Sequence, residues 1–373
     1  MKLLKIAAAW VSSVFLVGCI DITVSDYTPS ISEEQETDVS DVYMDEQAIY
    51  DGLTQEMAKG NLLIDLDGRL EDDVLTAALN RIRHDFPEYY WIDYEYYVTK
   101  TTISGSPESF TTTVSFHGAD AYDSQVILNK LYEIEAASNE ILSSMPQGLD
   151  DFEKALYVHD YIANNTVYST AKMGVEEIGT WDTAYGCLVL GDAVCGGYAN
   201  AFSYVMKRLG IDCGVVTGDV ADENGESVGH AWNYVMIDNI YYWLDVTWDD
   251  TDDESNPVNH TYFLIDDMHM NKNRILHKNQ FFVPTCFSMD QNYFVRYNSY
   301  LTVYIAEDVG TALMSSPTER KVELMFASEQ AYRDAFTNLF DNGDLWTLTE
   351  YADIGEKVSY SKYDNMCAIS IQY

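Results

Sequence analysis

Three residues near the middle of the chain have the types and surroundings for nucleophilic chemistry at a carbonyl. Cys195 stands in Ala193-Val194-Cys195-Gly196-Gly197-Tyr198, His230 in Gly229-His230-Ala231-Trp232-Asn233, and Asp245 in Leu244-Asp245-Val246-Thr247-Trp248. A thiolate attacks, an imidazole manages the proton and a carboxylate fixes the imidazole tautomer. Such a set supports acyl transfer through a thioester.

The elements that must position these residues are legible in the spacing. Ala201, Phe202, Val205, Met206 and Leu209 predict a helix that stops at Gly210. Cys195 then sits at or just before a helix N-terminus, where free N–H groups and the dipole favour a thiolate and offer oxyanion donors. Gly196 and Gly197 let a substrate carbonyl come close to the backbone. Residues 228–237 and 240–248 read as two strands joined by Asp238-Asn239, a tight hairpin in which Ile237 faces Ile240. That register puts His230 opposite Thr247 and Asp245 opposite Trp232, all four on one face. His230 and Asp245 become diagonal neighbours. Ala231, Asn233, Val235, Ile237, Ile240, Leu244 and Val246 form a mostly apolar back. Trp232, on the site face, would exclude water and narrow a substrate groove. Trp248 falls on the back face and reaches the groove only if the strand ends or twists there. Tyr185 is a candidate oxyanion donor; the competing account is a core aromatic with a wet hydroxyl.

Ala184-Tyr185-Gly186 and Val194-Cys195-Gly196-Gly197-Tyr198-Ala199, then Gly229-His230-Ala231-Trp232-Asn233 and Leu244-Asp245-Val246-Thr247-Trp248-Asp249 resemble the bacterial transglutaminase-like superfamily. Tyr157, His159, Asp160 and Tyr161 fit the lead-in to those motifs. The resemblance covers about 150–265. It implies a papain-like α+β core with a Cys-His-Asp triad, as found in transglutaminases, peptidases and amidases. Many members carry a polar residue directly after the cysteine; here it is Gly196.

The flanks are read more coarsely. Residues 1–18 have Lys2 and Lys5, a short apolar run and the ending Leu16-Val17-Gly18-Cys19, which resembles a bacterial lipoprotein signal. That resemblance implies cleavage before Cys19, a lipid on its thiol, and an envelope protein anchored on the extracytoplasmic side. Residues 19–44 are acidic without Lys or Arg and read as a disordered tether. Residues 45–145 alternate helical and strand patterns, an N-terminal α/β domain. Within them 87–97 is rich in Tyr and Trp and reads as a strand paired with 110–117. Residues 146–290 form the catalytic domain, and 291–373 a small α+β domain with no motif that carries chemistry.

Composition narrows the partners. The 373 residues carry 61 acidic and 21 basic side chains, a formal net charge of −40. That excludes the basic footprint nucleic acid needs. There is no P-loop, no G-x-G-x-x-G and no internal repeat, and no cofactor is implied. His159 reads as a structural helix histidine. The acidic run from Asp249 reads as a solvated loop, and His260, His269 and His277 lack metal-ligand spacing, so no metal is assigned. With Cys19 lipidated and Cys195 a free thiol, four cysteines remain, read as buried thiols in preference to disulfides. The expected function is cysteine-dependent acyl transfer on extracytoplasmic protein or peptide amides, with water or an amine as acceptor. The alternative is a catalytically idle binding or scaffold lipoprotein on the same fold.

Overall fold

The computed structural model describes residues 43–89, 97–105, 109–116, 123–169, 181–221, 227–251, 258–278 and 280–373. The leader, Cys19 and most of the tether lie outside them, as does most of the aromatic run 87–97.

The N-terminal part packs α1 (Glu46–Met57) and α2 (Asp72–Asp85) with a sheet of β1 (Leu63–Asp67), β2 (Tyr97–Ser104) and β3 (Ser109–Phe116), in the order β1-β3-β2. β3 pairs with 97–104, and Tyr97 of the expected aromatic strand joins the ladder opposite Phe116. The long helix α3 (Ser124–Ser144) closes a core of Ile49, Leu53, Leu75, Ile82, Val114, Phe116 and Ile134. α4 (Asp151–Asn165) starts on a capping box: Asp150 accepts the Glu153 N–H, and the Glu153 carboxylate accepts the Asp150 N–H.

A parallel pair of short strands, β4 (Val167–Tyr168) and β5 (Asp192–Ala193), delivers the chain to α5 (Cys195–Arg208). α5 packs across an antiparallel sheet of β6 (Cys213–Ala221), β7 (Ser227–Ile237) and β8 (Ile240–Leu244). Asn233 on β7 donates to Ala199 O of α5 at 2.9 Å. Two short helices follow, α6 (Val246–Asp249) and α7 (Asp267–Met270), and then β9 (Arg274–Leu276), which completes the sheet order β8-β7-β6-β9.

The last part holds α8 (Tyr293–Arg296), β10 (Tyr300–Leu301), α9 (Ala306–Ser315), β11 (Lys321–Phe326), α10 (Glu329–Phe336), β12 (Ser359–Tyr363) and β13 (Ala368–Gln372). Its sheet order is β10-β11-β13-β12, around Val322, Leu324, Phe326, Ile369 and Ile371. β10 is only two residues long, and α9 follows it after a four-residue connection. Among the described residues, no helix is long and apolar enough to cross a membrane.

Candidate active site

α5 begins where the apolar spacing placed it. Its N-cap, Val194, is extended and has no side-chain acceptor. The first amides therefore turn to other partners: Gly197 N and Tyr198 N donate to Val194 O, and Gly196 N donates to the Asp182 carboxylate. Cys195 is half-buried at this tip. Cys187, Cys213, Cys286 and Cys367 are buried, and none of these five thiols is in a disulfide. Burial pushes the Cys187 and Cys213 thiols up to about 12.

The hairpin forms in the expected register, Ile237 against Ile240 and Asn233 against Leu244. Asp238 and Asn239 both take left-handed φ values, 51° and 64°, as a tight two-residue turn demands. β8 stops at Leu244, however. Asp245 is not opposite Trp232 in a ladder but is the N-cap of α6, its Oδ1 accepting the Trp248 N–H at 3.2 Å. Leaving the strand frees the carboxylate to turn back, and Oδ2 accepts from His230 Nε2 at 2.7 Å. Cys195 is the other partner of the imidazole. So the three sequence candidates do meet, with Asp245 on a helix cap in place of a diagonal strand position.

Both faces of β7 are buried, including His230, Trp232 and Tyr234 on one and Ala231, Asn233 and Val235 on the other. Trp232 is only 1% exposed. It stacks on His230 at 5.9 Å and walls the imidazole off from behind; it does not line an open groove. Trp248 is half-buried and reaches the histidine, 6.0 Å between ring centroids, because the strand has ended. Tyr185 goes elsewhere: its hydroxyl donates to Glu133 at 2.7 Å, in the core formed by the N-terminal helices and sheet, so that donor is engaged away from the thiol.

Arg274, on the edge strand β9, is the residue sequence reading missed. Its Nη2 donates to the same Asp245 oxygen as His230, and its guanidinium lies over Trp248 at 4.6 Å and Tyr262 at 4.2 Å. Burial opposes ionisation of Asp245, but the charges of His230 and Arg274 hold it down at about 2. Burial likewise pulls His230 down, yet Asp245 and Cys195 outweigh it and push the imidazole up to about 9.

Residues 140–248, which contain Cys195, His230 and Asp245 but not Arg274, match the family model of the transglutaminase-like superfamily. This stretch is a transglutaminase-like domain. Three solved structures share likeness with the chain. One described as a TGase is 15% identical, covering 42% of this chain and 45% of its own, with a TM-score of 0.28. A candidate cysteine protease from Cytophaga hutchinsonii is 13% identical over 44% and 65%, TM-score 0.25. The periplasmic domain of TgpA from Pseudomonas aeruginosa, bound to ethylmercury, is 15% identical over 38% and 56%, TM-score 0.22. The chain thus spans less than two thirds of each. No curated protein matches the sequence.

Two further features of the transglutaminase-like domain bear on the site. A Cβ on Gly196 would lie 1.8 Å from Asp182 Oδ1, so the glycine after the cysteine leaves room for a carboxylate supplied from another loop. Loss of solvation pushes that carboxyl up to about 6. The acidic run after Trp248 is not solvated where it is described. Asp249 and Asp250 are buried: Asp249 accepts from Tyr262 N at 3.0 Å and bonds His159 Nε2 at 3.2 Å, and Asp250 accepts from Tyr198 OH at 2.7 Å. These contacts fasten α6, and with it the cap residue Asp245, to α4 and α5.

Proposed function

We propose that the chain is a cysteine-dependent acyl-transfer enzyme acting on amide bonds of extracytoplasmic protein or peptide substrates. The observation that carries this reading is one imidazole, His230, held between a pinned carboxylate at 2.7 Å and a thiol at a helix tip. In this mechanism Cys195 Sγ attacks the carbonyl carbon as a thiolate beside the His230 imidazolium. The Cys195 N–H is assigned to the oxyanion, since the next three amides already have acceptors. As the C–N bond breaks, His230 gives its proton to the leaving nitrogen, and a thioester remains. Water or an amine then loses a proton to His230, attacks the thioester and releases the thiolate. Asp245 stays ionised throughout and keeps the imidazole oriented. The extracytoplasmic assignment rests on the lipoprotein-like leader ending at Cys19.

The test is incubation of the soluble part with glutamine-containing proteins and a labelled primary amine, with Cys195→Ala alongside. Label incorporation that needs Cys195 identifies a transferase, and cleavage or deamidation without incorporation identifies a hydrolase. If a broad substrate panel gives neither, and hydroxylamine traps no acyl group on Cys195, the chain is a binding scaffold instead.

A further inference from the structure

A second cluster of ionisable side chains lies outside the triad. His159 and Asp160 on α4 meet His260, and the three ligand-type atoms lie within 4.8 Å of one another. His159 Nδ1 is 2.9 Å from Asp160 Oδ1, and His260 Nε2 is 3.0 Å from the same oxygen. Each imidazole has a second carboxylate on its far nitrogen: His159 Nε2 faces Asp249 Oδ2 at 3.2 Å, and His260 Nδ1 faces Glu323 Oε1 at 3.1 Å. Glu323 is itself paired with Lys321. Both histidines are buried, whereas the Asp160 side chain is 40% exposed.

We propose that His159, Asp160 and His260 bind a first-row divalent transition-metal ion of the zinc type. The pattern is that of a metal site with its outer shell in place, in which each ligating imidazole donates its remaining N–H to a carboxylate that fixes tautomer and ring plane. Asp249 and Glu323 stand in those positions. Ring packing fixes the planes as well: Tyr293 stacks on His260 at 3.8 Å and 4°, and Phe263 meets His159 edge-on at 5.0 Å. Metal–ligand bonds of about 2.0–2.2 Å place tetrahedral ligands roughly 3.3 Å apart, so the two histidine–Asp160 separations of 2.9 and 3.0 Å need to open by a few tenths of an ångström, and the histidine–histidine edge, within 4.8 Å, closes as the rings turn onto the ion.

The donor types point the same way. All four ring nitrogens face carboxylates, and the two ring centroids are 5.5 Å apart. Two imidazoles and one carboxylate suit zinc better than calcium or magnesium, which take oxygen shells. The exposed side of Asp160 leaves a fourth position for water. The ion would tie α4 to β11 through Glu323, and to α6 through Asp249 four residues beyond Asp245. That makes it a brace for the transglutaminase-like domain, not part of its chemistry.

The test uses the full chain carrying Cys195→Ser, so that the reactive thiol takes no part. After chelator treatment it is titrated with Zn2+ alone by calorimetry, and X-ray absorption is recorded on the loaded protein. One zinc per chain is expected, in a nitrogen and oxygen shell that contains two imidazoles and no sulfur. His260→Gln should weaken binding by at least about 100-fold, and Glu323→Gln, which keeps all three ligands, by about 10–100-fold. Sub-stoichiometric binding, sulfur in the shell, or unchanged affinity in both His260→Gln and Asp160→Asn would overturn the proposal and leave the cluster as an ion-pair network. Should either variant misfold, the shell measured on the Cys195→Ser chain still decides. The outcome is independent of whether the chain transfers acyl groups.

Discussion

Arg274 and Asp245 form a buried ion pair on the same carboxylate oxygen that receives the His230 N–H. The guanidinium comes from the edge strand β9, beyond the 140–248 match, and it completes the surroundings of the aspartate. With Oδ1 capping α6, both carboxylate oxygens are held, Oδ2 by His230 and Arg274 and Oδ1 by the Trp248 N–H.

Removing one partner of a buried pair strands the other charge, so Arg274→Met should cost about 3–5 kcal/mol of stability. Urea denaturation would measure it. Arg274→Lys keeps the charge and should lose clearly less. Equal losses in the two variants would mean that packing against Trp248 and Tyr262, not the charge, is what Arg274 contributes.

The pH dependence follows from His230 and Asp245. His230 is raised from 6.5 to about 9, so its contribution to stability is fully present below 6.5 and is lost as pH rises through about 9. Asp245 is lowered from 3.8 to about 2, so its contribution is present above 3.8 and is lost as pH falls through about 2. The kcat/KM profile should decline as pH passes about 9, where the imidazolium that protonates the leaving group disappears. Asp245→Asn should move that limb toward lower pH and reduce kcat by the order of 10^4-fold, as the same change does in a serine-protease triad. A limb that stays in place in Asp245→Asn would show that His230 does not set it.

The two glycines after Cys195 should respond differently to alanine. At Gly196 the clash is with the Asp182 side chain, which can swing away. At Gly197 it is with backbone, Trp181 O at 2.6 Å, and with Ala193 Cβ at 2.7 Å. Gly197→Ala should therefore lose about 1–3 kcal/mol by overpacking, and Gly196→Ala less. Pairing Gly196→Ala with Asp182→Gly should recover much of the Gly196→Ala defect. Thermal melts of the single and double variants measure both effects.

Thiol alkylation should single out Cys195. Among the described residues it is the half-buried cysteine, beside an imidazole, while burial holds Cys187 and Cys213 protonated up to about 12. Peptide mapping after brief iodoacetamide treatment of the folded chain should find the label at Cys195 well before the buried four. Comparable labelling at Cys187 would mean that the fold opens on the same timescale.

What the sequence determined by itself is local. The apolar spacing behind Cys195 set the helix and put the thiol at its tip, and Asp238-Asn239 set the hairpin register because both residues tolerate a left-handed backbone. Residue types and order were enough to single out Cys195, His230 and Asp245. The end of β8 was not legible, since Asp245 through Trp248 alternates like a strand and only its capping of α6 stops the ladder. Tertiary structure alone decided the rest. Arg274 arrives by pairing of β9 with β6, Asp182 by the loop that Gly196 makes room for, and His260 lies 100 residues from the Asp160 it meets. Periodicity reports which side of its own element a residue faces. Which charges share a buried oxygen depends on how distant elements pack, and on the need of every buried carboxylate for partners.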